Sequence, residues 1–322
     1  MDQSLYVVAP LFNPCGYRTR YLRFLDFARH VRESGGVLVT VECAFGDQPF
    51  VVDENVGGIC IRCRSSQMIW LKENLINLAV AALPDSARYL AWIDADVQFS
   101  RPDWVPATVS LLTKHRFVQM FSQIIYLSPL YEPYQRMRSF AWCYLHGRPH
   151  GRRHDFWFPG GAWATTIEAF RRCGGMLDRT LGAADHHMAY GLIGRIDDTV
   201  QCEITPGYRH LLHEWQAGAQ TAIGSQVGCL DGLLLHHWHG NMAARQYVSR
   251  WEIIRRHQFD PYVDLRYSDD GLLEYSTDGH RLVRDVEEYF DQRQEDSSKL
   301  PKAEIQAFFR DSRSARVRCD RL

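Results

Sequence analysis

Apolar and polar positions along the first 125 residues follow two alternating patterns. Short apolar runs at Leu5–Ala9 (LYVVA), Val37–Glu42 (VLVTVE), Ile59–Cys63, Tyr89–Ile93 (YLAWI) and Phe117–Phe121 (FVQMF) each read as a strand. Between the first two, Leu22, Leu25, Ala28 and Val31 recur at helical spacing, with Arg18, Arg23, Arg29 and Arg32 on other faces. A second helix is predicted over MIWLKENLINLAVAAL, ending before Pro84. Strands alternating with helices predict an α/β fold with a mainly parallel central sheet, whose ligand site lies at the carboxyl ends of the strands. After about residue 125 the pattern loosens into aromatic, Arg-rich and Gly-rich loops, then returns to a helix at His186–Ile193 and an apolar run at Leu233–Trp238. From about residue 265 the chain turns polar. An amphipathic helix is predicted over Val283–Arg293, then a linker (QRQEDSSKLPK) and a short last helix over Ala303–Phe309. Residues 1–265 read as one α/β domain and 266–322 as a C-terminal helical extension.

Composition narrows this picture. A chain of 322 residues, at about 150 per domain, holds two domains or one large α/β domain with an extension. Hydrophobic residues make up 46% and charged residues 23%, which excludes wholesale disorder. The formal net charge of −1 leaves no global attraction to nucleic acid or an anionic membrane, so such binding needs a local patch. No apolar run approaches the roughly 20 residues of a membrane span, and the first 15 residues lack a leader pattern, so a cytoplasmic location is expected. Nine cysteines without framework spacing predict reduced thiols. The C-x-x-C of Cys60 and Cys63 has no second pair and reads as part of a strand.

The chemistry concentrates in a few stretches. In YLAWIDADVQFSRPDW an apolar strand runs into Asp94, Ala95 and Asp96. Carboxylates two apart can face one ligand where the backbone turns, and such oxygens suit Mg²⁺ or Mn²⁺, which in turn neutralises a diphosphate. Seven of the 14 histidines lie between 186 and 239. In LLLHHWHGN, period-two alternation places His237 and His239 on one face, with His236 and Trp238 on the other. His237 or His239 could complete a metal shell, Mn²⁺ accepting imidazole better than Mg²⁺; the alternative is hydrogen bonding at a strand end. His210 and His213 could chelate zinc from a helix, but positions 213–217 read HEWQA rather than H-E-x-x-H, which counts against a zinc hydrolase. In FPGGAW, Gly160 and Gly161 permit close backbone approach and Trp163 offers a flat face for a sugar, or is a buried indole beside a turn. Asp185 opens a helix, as an N-terminal acid favoured by the helix dipole or as a functional acid, with His186 beside it. From Glu132 to His154, five arginines (136, 138, 148, 152 and 153) against one acid are interleaved with aromatics, a pattern that suits an anionic polymer or a mobile loop.

With its apolar strand ending in D-x-D, VVAPLFNP at strand one, FPGGAW, DHH and a late histidine cluster, the chain resembles GT-A class, family 2-like glycosyltransferases over roughly residues 5–260. The resemblance implies a Rossmann-like domain with a donor half over about 1–125 and an acceptor half over about 126–265. It implies a metal-dependent, hexosyltransferase-type transfer from a nucleoside-diphosphate sugar to a hydroxyl acceptor. Asp94, Asp96 and a late histidine would hold the metal, Asp96 most firmly, and His239-Gly240 fits the family pattern better than His237. Asp185 would be the base, although Ala184-Asp185-His186 departs from the commoner Glu-Asp doublet and leaves a retaining mechanism open. His186 could support Asp185 or substitute for it. Gly160, Gly161 and Trp163 would shape the sugar and acceptor pocket. Donor contacts are expected from Pro10, Phe12, Asn13, Arg20, Glu42, Trp70, Lys72, Asn77 and Ala95, with Arg20 or Lys72 facing phosphate. Phe12 and Trp70 read equally as core, and Lys72 as a solvated helix face. The acceptor is read as a glycan or an anionic polymer such as DNA with a hydroxylated base. The rival readings are a nucleotidyltransferase, disfavoured by the lack of a basic glycine-rich phosphate loop, and a non-catalytic carbohydrate- or nucleic-acid-binding module.

Overall fold

All five apolar runs become strands, and most of them extend further than the hydrophobic pattern alone marks. The computed structural model describes residues 3–53, 56–148, 157–224, 227–240, 249–293, 295 and 298–319. Strands of the central sheet are β1 (Leu5–Phe12), β2 (Val37–Phe45), β3 (Ile59–Ser65), β4 (Tyr89–Ile93), β6 (Phe117–Gln119), β9 (Ala162–Thr166) and β10 (Gly228–Cys229). Their order is β10-β6-β9-β4-β1-β2-β3. β1 pairs parallel with β2 and β4, while β9 is inserted antiparallel between β4 and β6. A second sheet, β5 (Val97–Phe99), β11 (Leu233–His236), β7 (Gln123–Leu127) and β8 (Pro133–Arg138), stands beside it in that order. A small hairpin joins β12 (Leu265–Tyr267) to β13 (Leu273–Tyr275).

Alternation along the central strands divides the core. Tyr6, Val8, Val39, Val41, Leu90 and Trp92 face one side. Leu5, Val7, Ala9, Leu38, Ala91 and Ile93 face the other. Apolar side chains on both faces explain why these strands read as continuous hydrophobic runs: a mainly parallel sheet is covered on both sides. On the first side pack α2 (Lys72–Ala81), α4 (Phe140–Leu145), α5 (Ile167–Arg172), α6 (Ala184–Leu192), α7 (Pro206–Ile223), α8 (Ser249–His257) and α9 (Val283–Gln292). On the second pack α1 (Arg18–Glu33), α3 (Trp104–Leu112) and α10 (Lys302–Cys319). The strand order reverses beside β1, whose pairing with β4 ends at Val8 while its pairing with β2 continues to Phe12. A crevice therefore opens at the carboxyl ends of β1 and β4, where open α/β sheets bind ligands.

Two helices differ from the periodic reading. The second starts at Lys72, because Met68–Leu71 run outside it: the Met68 carbonyl accepts from the Tyr275 hydroxyl, and Trp70 packs on Tyr289 and Phe290 of α9. The last helix runs to Cys319 instead of stopping at Phe309. Beyond Phe309 the hydrophobic stripe ends, and an ion pair from Arg313 to Asp53 ties the helix down where no apolar signal marks it. The segment after 265 is integral to both cores. Leu273, Val286 and Tyr289 join one, Ile305 and Phe309 the other, and residue 265 itself opens β12. The eight described cysteines are free, and Cys60 and Cys63, three residues apart on β3, fall on opposite faces of it. No described helix is long and apolar enough to cross a membrane.

Phe309 is 1% exposed and meets Tyr21 edge-on, with ring centroids 6.1 Å apart. Phe309→Ala should cost about 3–5 kcal/mol in urea unfolding, the usual range for a buried Phe. An unchanged midpoint would show that α10 does not dock.

Candidate active site

The β4 strand ends at Ile93, and the chain turns through Asp94, Ala95 and Asp96 before entering β5. Both ends of this turn are pinned. The Asp94 N–H donates to the Gly161 carbonyl at 2.9 Å, and the Asp96 carbonyl accepts from the His237 N–H at 2.8 Å. Pinned this way, the two carboxylates enter different groups.

Asp96 meets histidines. The antiparallel register of β5 with β11 sets His236 opposite Val97, next to Asp96. After His236 the strand ends, and the chain brings His239 Nε2 to 2.8 Å from Asp96 Oδ2, with His236 Nε2 at 3.8 Å. Ligand atoms of Asp96, His236 and His239 all lie within 4.8 Å of one another. His236 Nδ1 lies 3.0 Å from the His237 carbonyl. A carbonyl only accepts, so Nδ1 carries a proton, and Nε2, the nitrogen nearer Asp96, is the one that would ligate a metal. Three N/O donors clustered this way could hold one ion, and two imidazoles favour Mn²⁺ over Mg²⁺.

The expectation for His237 is thus corrected: His236 takes its place. Alternation separates His237 from His236 only while the strand continues, and it stops at His236. The His237 ring lies edge-on to Tyr131, 6.0 Å between centroids, and burial followed by the Arg23 charge lowers its pKa.

Asp94 joins the other group. Its Oδ1 lies 2.7 Å from Lys72 Nζ, whose second partner is Asp185 Oδ2 at 3.2 Å. Burial raises the Asp94 pKa, and Asp185 and Asp96 add to that rise against the Lys72 charge. For Lys72, burial acts downward, but Asp185 and Asp94 outweigh it and hold the ammonium well above its ordinary value. Lys72 is therefore neither a solvated face nor open toward a phosphate here; it is shared between two acids. Asp185 lies in the first turn of α6. Gly160 lies against it, and a Cβ there would stand 3.2 Å from Asp185 Oδ2. Gly161, at φ +87°, supplies the carbonyl that holds Asp94 and has no room for a side chain beside Leu234, Phe121 and Phe158. His186, half-buried, stands edge-on to Tyr190.

Several of the residues expected to contact a donor make contacts within the fold. Trp163 is 3% exposed on a central strand, with its indole N–H donated to the Pro159 carbonyl, so it supports the Gly160 loop, and it lines a small cavity together with Asp185. Glu42 lies inside β2, which continues to Phe45; its carboxylate accepts the Val51 and Val52 N–H groups. Asn77 exchanges hydrogen bonds with the Met176 backbone. Asn13 closes the turn after β1 onto Tyr17. Pro10 and Phe12 belong to β1 itself, and Ala95 packs partly against the core. Trp70 is committed to Tyr289 and Phe290, and its indole fills the space a Cβ at Gly182 would need. Arg20 pairs with Glu295 rather than standing open to a phosphate. On α7, His213 pairs with Asp197 and His210 lies near Tyr262. Arg152 and Arg153 lie outside the described residues.

Two residues that sequence reading missed are His236, whose signal was the short VQF strand that pairs with LLLH, and Glu295, which no local pattern marks. No family model matches the chain, and no curated protein matches it. Among solved structures, it is similar to the catalytic domain of Drosophila β1,4-galactosyltransferase 7 in complex with xylobiose, at 13% identity over 87% of this chain and 97% of that one, with a TM-score of 0.39. A mannosyltransferase from Pyrobaculum calidifontis in complex with GDP-Man and Mn²⁺ matches at 10% identity over 97% and 74%, with a TM-score of 0.40. The 4-diphosphocytidyl-2C-methyl-D-erythritol synthase of Anaerococcus prevotii matches at 10% identity over 72% and 90%, with a TM-score of 0.32.

Beside Lys72, Glu73 is 5% exposed. Burial pushes its carboxyl up to about 7, with Lys72 opposing and Asp185 adding to the rise. Folding thus binds its proton more tightly than unfolding does, so the stability cost is absent below the ordinary value of 4.5 and complete above about 7. Glu73→Gln should therefore stabilise the fold at pH 8, on the order of 2 kcal/mol, and much less at pH 4.5. Equal effects in thermal unfolding at both pH values would contradict this.

Proposed function

We propose that this chain is a metal-dependent glycosyltransferase of the GT-A class, moving a sugar, a hexose by the family resemblance, from a nucleoside-diphosphate sugar to a hydroxyl acceptor. The observation that carries the reading is the convergence, at the carboxyl end of β4, of an Asp96–His236–His239 cluster with an Asp94–Lys72–Asp185 group. Asp96, His236 and His239 would hold Mn²⁺. When bound, the ion supplies positive charge for the departing diphosphate. Asp94, two positions earlier in the same turn, adds to the negative field that would draw the cation in, and Lys72 offsets part of that field from α2. Asp185 stands on a rigid helix end at the crevice, half-exposed, with Gly160 leaving its carboxylate uncovered. We assign its carboxylate as the base that takes the acceptor hydroxyl proton.

The acceptor side is read from the β7–β8 hairpin. Leu130, Tyr131 and Tyr134 are exposed there, and β8 continues through Arg136 and Arg138 as an open sheet edge. Arg138 and Arg148 both stack on Trp142, at 4.3 and 5.6 Å from its ring centre. Tyr131 touches His237, so this surface borders the metal cluster. Arginines alternating with aromatics support an anionic polymer, such as nucleic acid carrying a hydroxylated base, ahead of a neutral glycan.

The test is product analysis after incubation with sugar nucleotides and Mn²⁺. Release of a nucleoside diphosphate is expected, and Asp96→Ala should abolish it together with the Mn²⁺-dependent rise in melting temperature. Asp185→Asn should lower kcat by about 10²-fold or more while donor binding stays intact. Turnover retained in Asp96→Ala would overturn the metal assignment. Pyrophosphate release from a nucleoside triphosphate would establish a nucleotidyltransferase, and polymer binding without metal-dependent donor binding a non-catalytic module.

A further inference from the structure

A buried ion pair joins the C-terminal segment to the edge of the metal cluster. Glu295 follows α9, and its side chain is 2% exposed. It meets Arg20 as a two-pronged pair: Oε1 accepts from Nη2 at 2.7 Å and Oε2 accepts from Nε. Arg293 Nη2 reaches Oε1 at 2.8 Å. The remaining arm of Arg20, Nη1, donates to the Phe12 carbonyl at 3.1 Å. All three guanidinium nitrogens are thereby occupied. The segment carrying Glu295 is itself tied to the turn between β1 and α1. Leu300 N–H donates to the Gly16 carbonyl at 2.9 Å, Tyr17 bridges Lys299, and the Lys299 ammonium sits 5.6 Å from the centre of the Tyr17 ring.

The location of this pair gives it a consequence for the cluster. The bond to the Phe12 carbonyl holds Arg20 at the carboxyl end of β1, and Asp96 follows β4 at the same end of the parallel β1–β4 pair, where its charge acts on Arg20. Arg20 is about one-third exposed, which leaves its long side chain free to swing if its partner is lost. A guanidinium prefers a carboxylate and pairs with it through two parallel bonds. An arginine on Asp96 would occupy the oxygens that a divalent cation needs and would add a positive charge beside it.

We propose that Glu295 is a positioning residue that holds Arg20 off Asp96, so that the C-terminal segment keeps the Asp96–His236–His239 cluster open to a divalent cation. This rests on the metal site proposed above. The pair thus works at a distance: Glu295 touches neither metal nor substrate, and acts through the arginine it restrains. Arg293, the second cation on Glu295, makes the arrangement more sensitive, since losing the carboxylate leaves two arginines uncompensated.

The test is a Mn²⁺ titration of the full chain by calorimetry, with no sugar nucleotide present. Glu295→Ala should weaken Mn²⁺ binding about tenfold, and more at low salt than at high salt, because the competitor is a charge. Adding Arg20→Ala should bring the affinity back to within about twofold of the parent chain, a coupling that a double-mutant cycle isolates. A merely structural role for Glu295 gives the opposite pattern, with the double variant at least as impaired as the single one. Should Glu295→Ala fail to fold, Glu295→Gln keeps the shape and removes the charge, and the same rescue by Arg20→Ala is expected. Mn²⁺ affinity unchanged in the Glu295 variant, or weakened without rescue, overturns the proposal while leaving the metal site standing. No Mn²⁺ binding by the parent chain overturns both.

Discussion

The turn from β4 into β5 takes the chain out of one sheet and into another within three residues, and two backbone hydrogen bonds hold it. Gly161 fixes the Asp94 end through its carbonyl, and His237 fixes the Asp96 end through its N–H. The first bond comes from the edge of β9 and the second from the end of β11, and the two carboxylates enter different groups. One goes to Lys72 and Asp185, the other to His236 and His239. The site thus consists of two charge groups that share one short turn, and its geometry follows from how the two sheets meet.

That arrangement also explains the electrostatics. Asp94, Asp96 and Asp185 gather near the carboxyl end of β4; burial raises the Asp94 pKa, and the charges of Asp185 and Asp96 add to that rise. Lys72 relieves part of it from α2, and buried Glu73 beside it adds to the strain. A divalent cation is the natural further relief, and Nε2 of His236 is the nitrogen that would ligate it. The raised Asp94 and Glu73 pKa values beside one lysine are a pattern that functional sites share with structural ion-pair networks.

Much of this was legible in the sequence because the central strands are buried on both faces. Their unbroken apolar runs gave away the sheet, and the run ending before Asp94 and Asp96 marked where two carboxylates leave it at a strand end. Asp185 was legible from its place at a helix start. Sequence could not separate polar residues that bind a ligand from those that bind a loop: Glu42, Asn77 and Asn13 hold backbone groups of the protein itself. His239 lies beside Asp96 as expected, but the choice of His237 over His236 differs from the structure for another reason. Period-two alternation is a rule about continuing strands, and β11 stops at His236, so the side chain judged to face away is the one that meets Asp96. Glu295 was beyond reach, since its partner lies 275 positions away.

The most direct test of the site is the nitrogen coupling at bound Mn²⁺, measured by electron spin-echo envelope modulation on the parent chain and on single histidine variants. Two imidazole nitrogens are expected in the parent and in His237→Ala, and one in His236→Ala. No imidazole coupling in the parent, or a spectrum that His236→Ala leaves unchanged while His237→Ala alters it, would contradict the Asp96–His236–His239 centre.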